Sequence, residues 1–257
     1  MGKALSIIKV GGKIVEEEAT LSRFLDDFAA VAGPKILVHG GGRSATRVAE
    51  ALGMESRMVN GRRVTDAGML KVVTMVYGGL VNKNIVAGLQ NRGILSLGLT
   101  GADLGLIRSR KRPAAEVDYG FVGDVESVNA PALSSLLEGG VVPVLAPLTF
   151  GGPAGLLNTN ADTIAGEAAK ALAAAWDVSL YYCFEKGGVL RDEADEGSVI
   201  PVLSRRDFEA YKAEGVIQGG MIPKLENAFE AVSSGVKRVV ITSASAFSKG
   251  GGTLVSG

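Results

Sequence analysis

Two lysines stand where lysines are costly. Lys9 follows the apolar run Leu5 to Ile8 and precedes Val10, Gly11 and Gly12 in "LSIIKVGGK". Burying an unpaired ammonium is expensive, so either the strand surfaces here or Lys9 faces an anion over the glycine turn. Lys224 lies near the start of the helix-like stretch "MIPKLENAFEAVSSG", where a cation opposes the helix dipole and a partner anion would account for it. "HGGGR" sets Gly40, Gly41 and Gly42 ahead of a helix that begins near Ser44, and backbone N–H groups at such a start form an anion site. "NGRRVT" puts Arg62 and Arg63 in a polar loop, suited to gripping a carboxylate through a bidentate fork. "LNTNAD" places Asn158, Asn160 and Asp162 just before and into another helix. One of them is expected to cap it, and the cluster exceeds what a cap requires. The chemistry these residues suit is that of anions: phosphates at glycine turns and a carboxylate at the arginines.

The remaining composition narrows the class. The chain has 257 residues, 47% of them hydrophobic and 21% charged, enough for a sizeable core and too apolar for disorder. Lys plus Arg and Asp plus Glu both total 27, so there is no basic footprint of a nucleic-acid binder. One histidine, His39, and one cysteine, Cys183, argue against a protein-ligated zinc site and against an internal disulfide. His39 ends a strand-like run and reads as a near-core residue rather than part of a Ser-His-Asp triad. No P-loop, no dinucleotide fingerprint, no G-x-S-x-G elbow and no eukaryotic kinase signature occurs. The first apolar stretch carries Lys9 and is too short for a signal peptide, and no apolar run is expected to span a membrane. A cytoplasmic protein is expected.

Helix and strand patterns alternate along the chain and must position these groups. "LSIIKV", "KILVHG", "ILSLGLT", "VVPVLAPLTF", "DVSLYYCFE" and "VKRVVITSA" read as strands. Between them, "EEEATLSRFLDDFAAVA", "SATRVAEALG", "NADTIAGEAAKALAAA", "RRDFEAYKAEG" and "MIPKLENAFEAVSSG" have helical spacing. "TDAGMLKVVTMVYGGLVNKNIVAGLQNRG" reads as one long helix, capped by Thr65 or Asp66 and interrupted or bent at Gly78-Gly79. Such alternation predicts an α/β fold with a mainly parallel sheet covered on both faces. Ligands of these sheets bind at the carboxyl ends of the strands, where the glycine turns fall. A boundary near 175–177 would divide the chain into residues 1–175 and 176–257.

The stretches "IIKVGGK", "LVHGGG", "NGRRVT", "GLTGAD", "GFVGDV", "GVVPVLAPL", "LNTNADTIAGEAA" and "GGMIPKLENA" resemble the amino-acid kinase family, in order and across nearly the whole chain. "NGRRVT" with "NTNAD" is similar to its N-acylglutamate branch. The resemblance implies a three-layer α/β/α sandwich around an open, mainly parallel sheet. It implies phosphoryl transfer from ATP to the γ-carboxylate of N-acetyl-L-glutamate, the second step of arginine biosynthesis. By resemblance, Lys9 and Lys224 flank the transferring group and Asp162 holds both through charged hydrogen bonds. Lys9, Gly11, Gly12 and Lys224 would meet the nucleotide phosphates. Gly41, Gly42, Arg63 and Asn158 would hold the acylglutamate, with Arg63 on its α-carboxylate. Magnesium would ride on the ATP phosphates, without protein ligands of its own. Residues 1–175 would bind the acylglutamate and make most dimer contacts; residues 176–257 would bind the nucleotide. No general base is needed, because the attacking carboxylate is already ionised.

The chain departs from the pattern in places. "YYCFEKGGVL" puts Glu185 and Lys186 where the family carries an acidic turn beside the nucleotide. In "KRPAAEVDYGFVGDV" and just before it, Lys111, Arg112 and Arg108 are read as solvent-facing, with a second carboxylate, as on a succinyl group, as the alternative. The short stretch before Lys9 leaves no room for the extra helix of arginine-inhibited relatives, so an arginine-insensitive homodimer is expected, joined through the helix from Asp66 to Gln90. The other readings are a different carboxylate kinase of the same family and a sensing module without turnover.

Overall fold

Strands buried on both faces show no polar alternation, and the computed structural model follows that rule. It describes residues 2–59 and 61–257; Asn60, which opens "NGRRVT", lies outside the described residues. The strands are β1 (Lys3–Val10), β2 (Lys35–His39), β3 (Met58–Val59), β4 (Arg62–Arg63), β5 (Ser96–Leu99), β6 (Ile107–Lys111) and β7 (Gly123–Val128). They continue with β8 (Val142–Leu145), β9 (Leu148–Phe150), β10 (Leu156–Asn158), β11 (Trp176–Phe184), β12 (Val202–Ser204), β13 (Arg238–Ser243) and β14 (Thr253–Ser256). The helices are α1 (Gly12–Glu16), α2 (Glu18–Ala30), α3 (Gly42–Ala51), α4 (Ala67–Val73), α5 (Asn82–Gln90), α6 (Ala130–Glu138), α7 (Ala161–Leu172), α8 (Arg205–Ala213) and α9 (Met221–Ser233).

Eight strands form one sheet in the order β12-β14-β13-β11-β1-β2-β8-β5. Every neighbouring pair is parallel except β13 with β14. Along β1 the side chains alternate between two cores. Leu5 and Ile7 join the apolar faces of α6, α7 and α9; Ile8 and Val10 join those of α2, α3 and the long helix. The result is the expected three-layer sandwich. At β1 the strand order runs to β2 on one side and to β11 on the other, so the carboxyl end of β1 is the switch point where such sheets bind ligands.

Three differences from the sequence reading matter. "VVPVLAPLTF" is two strands, not one: β8 stays in the main sheet and β9 leaves it past Ala146 and Pro147 for a small sheet ordered β10-β9-β6-β7. Pro147 has no N–H to extend the ladder. That small sheet carries Asn158 at the end of β10. The tail contributes β14, wedged between β12 and β13. The long helix is unbroken from Ala67 to Gln90, and Asp66 caps it by accepting a hydrogen bond from the Met69 N–H at 2.7 Å. At Gly78-Gly79 it widens into a π-helical stretch, Thr74–Val81, rather than bending. This helix corrects the expectation about apolar runs, being 24 residues long and apolar enough, by length and composition, to cross a membrane. It packs against the fold through Met69, Val72, Val73, Val76, Tyr77, Val81, Ile85 and Leu89, all buried.

Candidate active site

The carboxyl ends of β1, β2 and β11 meet at two adjoining cavities. One, of about 200 Å³, is lined by Gly41, Arg62, Arg63, Tyr77, Asn158 and Asp162 among others. The other, of about 420 Å³, is lined by Gly11, Lys13, Arg43, Glu185, Lys186 and Lys224 among others. Lys9, Gly12 and Gly42 line both. The groups singled out in the sequence therefore converge, with Lys9 on the partition.

Lys9 is held from β1 by Asp162 on the first turn of α7. Its Nζ lies 2.7 Å from Asp162 Oδ1, with both side chains about nine-tenths buried. The approach is not along a hydrogen-bonding direction, and Oδ1 has no hydrogen-bond donor among the described residues. Among the described residues Asp162 has the Lys9 ammonium within ion-pair distance but not that of Lys224. Lys224 shares a different neighbour with Lys9. The Phe184 ring at the end of β11 has the Lys9 ammonium 4.7 Å from its centroid and the Lys224 ammonium 3.9 Å from it. Burial lowers the Lys224 pKa from its usual value; the Asp162 charge opposes that shift and the Lys9 charge adds to it. Two mutually repelling cations beside one aspartate leave an excess of positive charge that an anion would neutralise.

The glycine turns divide the work. Gly11 lines the larger cavity, but its N–H donates to the Cys183 carbonyl at 3.2 Å, so Gly11 offers close approach and not a donor. Gly12 opens α1, and Gly41 opens α3 with no side-chain cap. A side chain at Gly41 would meet the Tyr77 ring at 3.0 Å. Glu16 ties the two turns together: its Oε1 accepts from the Ser44 N–H at 2.7 Å.

Arg63 is buried. Its Nη2 donates to the Gly42 carbonyl at 2.7 Å and to Thr46 Oγ1 at 2.9 Å, and its Nη1 donates to Ser56 Oγ. Its Nε is buried with no partner among the described residues, a donor a ligand carboxylate would satisfy. Asn158 donates to Thr65 Oγ1 at 2.9 Å, and Thr65 in turn donates to the Arg63 carbonyl at 3.0 Å. Asn160 is the cap of α7, accepting from the N–H groups of Asp162 and Thr163. Arg108, Lys111 and Arg112 do not line the cavity. Arg108 and Lys111 are exposed on β6, and Arg112 is engaged by Asp124. Glu185 is an exposed partner for Lys13 at 3.9 Å and Arg43 at 3.3 Å. Exposed pairs of this kind are weak, so both cations are available to phosphates.

Tyr77, Glu16 and Phe184 were not singled out in the sequence, and Thr65 only as a possible helix cap. Tyr77 reads there only as an apolar helix position. Its pKa is raised by burial, against the nearby Arg63 charge.

His39 is fully buried beneath the glycine turn. Its Nδ1–H donates to the Gly40 carbonyl at 2.7 Å, and its Nε2 accepts from Asn82 Nδ2 at 3.1 Å. Burial pulls its pKa down to about 4 from 6.5. A lowered histidine pKa means that the unfolded chain binds the proton first. Stability is therefore held above pH 6.5 and lost as pH falls toward 4, by roughly 3 kcal/mol in all. As the chain has one histidine, its imidazole NMR signal should stay in the neutral form at pH 5 in the folded protein. An imidazolium signal there would contradict this.

Cations and glycine turns at the carboxyl edge of a parallel sheet, shared between two anion-sized cavities, define a phosphotransferase. A sequence profile of the amino acid kinase family matches residues 4–243, and the chain belongs to that family. Among its relatives, the acetylglutamate kinase of Bacteroides thetaiotaomicron is 69% identical across 99% of this chain and 99% of its own. That of Bacteroides fragilis is 68% identical across 99% of this chain and 98% of its own. In solved structures, smu.665 of Streptococcus mutans UA159 superposes with a TM-score of 0.78 at 28% identity, covering 98% of each chain.

Proposed function

We infer that this chain transfers the γ-phosphoryl group of ATP to the γ-carboxylate of N-acetyl-L-glutamate, a step of arginine biosynthesis. The observation that carries the reading is the pair of cavities joined at Lys9, one with arginine for a carboxylate, the other with lysines for phosphates. A carboxylate oxygen attacks the γ-phosphorus, the bond to the β-phosphate oxygen breaks, and ADP leaves with the electron pair. Both reactants are anionic, so positioning and charge neutralisation do most of the work.

Lys9 and Lys224 neutralise the transferring group, and Asp162 fixes Lys9. Gly12 and Gly42 give the phosphates backbone contact. Arg63 and Asn158 orient the acylglutamate. Among the described residues no three His, Cys, Asp or Glu side chains gather as metal ligands, and magnesium would be held through the nucleotide phosphates, where it shields their charge. Residues 1–175 would carry the acceptor side and residues 176–257 most of the nucleotide side. A homodimer is proposed on Met75 and Leu80 of the long helix and Leu97 of the edge strand β5, apolar side chains 55%, 52% and 42% exposed. The cytoplasm, where ATP is made available, is the proposed compartment.

Hydroxylamine trapping tests the reaction directly, because an acyl phosphate yields a hydroxamate. Hydroxamate should form only with MgATP and the acylglutamate together, in a preparation that light scattering finds dimeric. ADP release without hydroxamate would overturn acyl phosphate formation.

A further inference from the structure

The proposed chemistry gives no task to His39, the fully buried last residue of β2. Its surroundings fix where its proton sits. The carbonyls of Gly40 and Val144 can only accept hydrogen bonds. Nδ1, 2.7 Å from the Gly40 oxygen, therefore carries the proton. Nε2 is left to accept. Asn82 meets it with Nδ2 at 3.1 Å and gives the second hydrogen of the same nitrogen to the Val144 carbonyl at 2.9 Å. Asn82 Oδ1 is buried with no donor among the described residues, so the amide keeps this orientation while leaving a polar atom unsatisfied. Asn82 follows directly on the π-helical stretch Thr74–Val81, a distortion frequent at functional sites.

The Gly40 carbonyl belongs to the peptide that joins Gly40 to Gly41. In a planar trans peptide the C=O and the N–H point in opposite directions. With the carbonyl drawn inward by His39, the Gly41 N–H faces away from the core, and Gly41 lines the smaller cavity. Gly41 is buried, and its N–H donates to no group among the described residues. Its neighbours are engaged within the fold: the Gly40 N–H donates to the Val10 carbonyl at 3.1 Å and the Ser44 N–H to Glu16. The same peptide lies against the turn after β1. A side chain at Gly40 would come within 3.4 Å of the Gly12 nitrogen, and Gly12 lines both cavities. We propose that His39 is a positioning residue, which sets the peptide between Gly40 and Gly41 so that the Gly41 N–H donates to the transferring phosphoryl group where its charge develops. The inference rests on the kinase reading and adds a buried residue to its machinery.

Nitrogen NMR of the parent protein reads the first link. The chain has one histidine, and its imidazole signals should show Nδ1 protonated and Nε2 bare, with and without MgADP. An Nε2–H tautomer would overturn the inference by itself. Substitution reads the second link. Asparagine sets its amide nitrogen where histidine sets Nδ1, whereas glutamine reaches only to the position of Nε2. Turnover with MgATP and N-acetyl-L-glutamate is expressed per site that binds MgADP, which cancels any loss of folded protein. His39→Gln should lower kcat by roughly 10–100-fold, less than the loss of an oxyanion donor outright, with KM for the acceptor little changed. His39→Asn should recover most of that loss. Equal losses in the two variants, or losses that simply follow their unfolding midpoints, would reduce His39 to packing and overturn the inference. A parent with the Nδ1–H tautomer that releases no ADP overturns the kinase reading, and the inference with it.

Discussion

Replacing Lys224 with alanine should lower kcat by roughly 10²–10³-fold, the usual scale for one charge-stabilising group, while leaving the fold as stable as the parent. The split follows from its surroundings. Lys224 makes no ion pair among the described residues; its ammonium rests 3.9 Å from the centre of the Phe184 ring. Burial and the neighbouring Lys9 hold its pKa below the usual lysine value. A lowered lysine pKa means that the fold tolerates the ammonium less well than water does. Below the folded pKa the charge weighs against folding, and that penalty is relieved as pH rises toward the unfolded value. Removing the charge therefore does not weaken the fold at neutral pH. Saturating both substrates isolates kcat, and a thermal unfolding curve reads stability. A kcat near the parent's would take Lys224 out of the chemistry.

Asp162→Asn should behave in the opposite sense on stability. It leaves the buried Lys9 ammonium without its counter-charge, which typically costs about 3–5 kcal/mol and would lower the unfolding midpoint by roughly 10 °C for a chain of this size. Turnover should fall with it, because Asp162 is the one carboxylate paired with Lys9 among the described residues. The double replacement Lys9→Met with Asp162→Leu sharpens the expectation. It removes both buried charges, so stability should return toward the parent's while activity stays lost. Denaturant midpoints for the parent, the single and the double variant make the comparison. Equal stability of the parent and Asp162→Asn would mean that the pair does not hold this part of the fold.

Much of this site was legible in the sequence because its members break local rules. Lys9 ends an apolar strand, Lys224 opposes a helix dipole, and Asn158 with Asp162 exceeds the needs of a cap; the fold brings all of them to one cleft. Arg62 and Arg63 looked like one fork, and only the ribbon geometry of β4 separates their directions. Tyr77, Thr65 and Phe184 break no rule, since each suits its helix, turn or strand, and their place at the cavity follows from long-range packing. The alternation of helix and strand announced the layered sheet. The split of β8 from β9 and the insertion of β14 depend on which distant strand supplies hydrogen bonds, which no local pattern encodes.

The sheet order also constrains how the polypeptide is made. β1 is made before both of its partners, β2 and β11, and lies near the middle of the finished sheet. Its β2 neighbour follows soon after, but Lys3 must wait for Trp176 before its other side is paired. β12 likewise waits for β14, which must slide between β12 and β13. An apolar strand with an unpaired edge invites pairing with other chains, and such distant pairings slow folding. Nascent and truncated products that stop short of β11 therefore carry an exposed, adhesive seam at the very strand that holds Lys9.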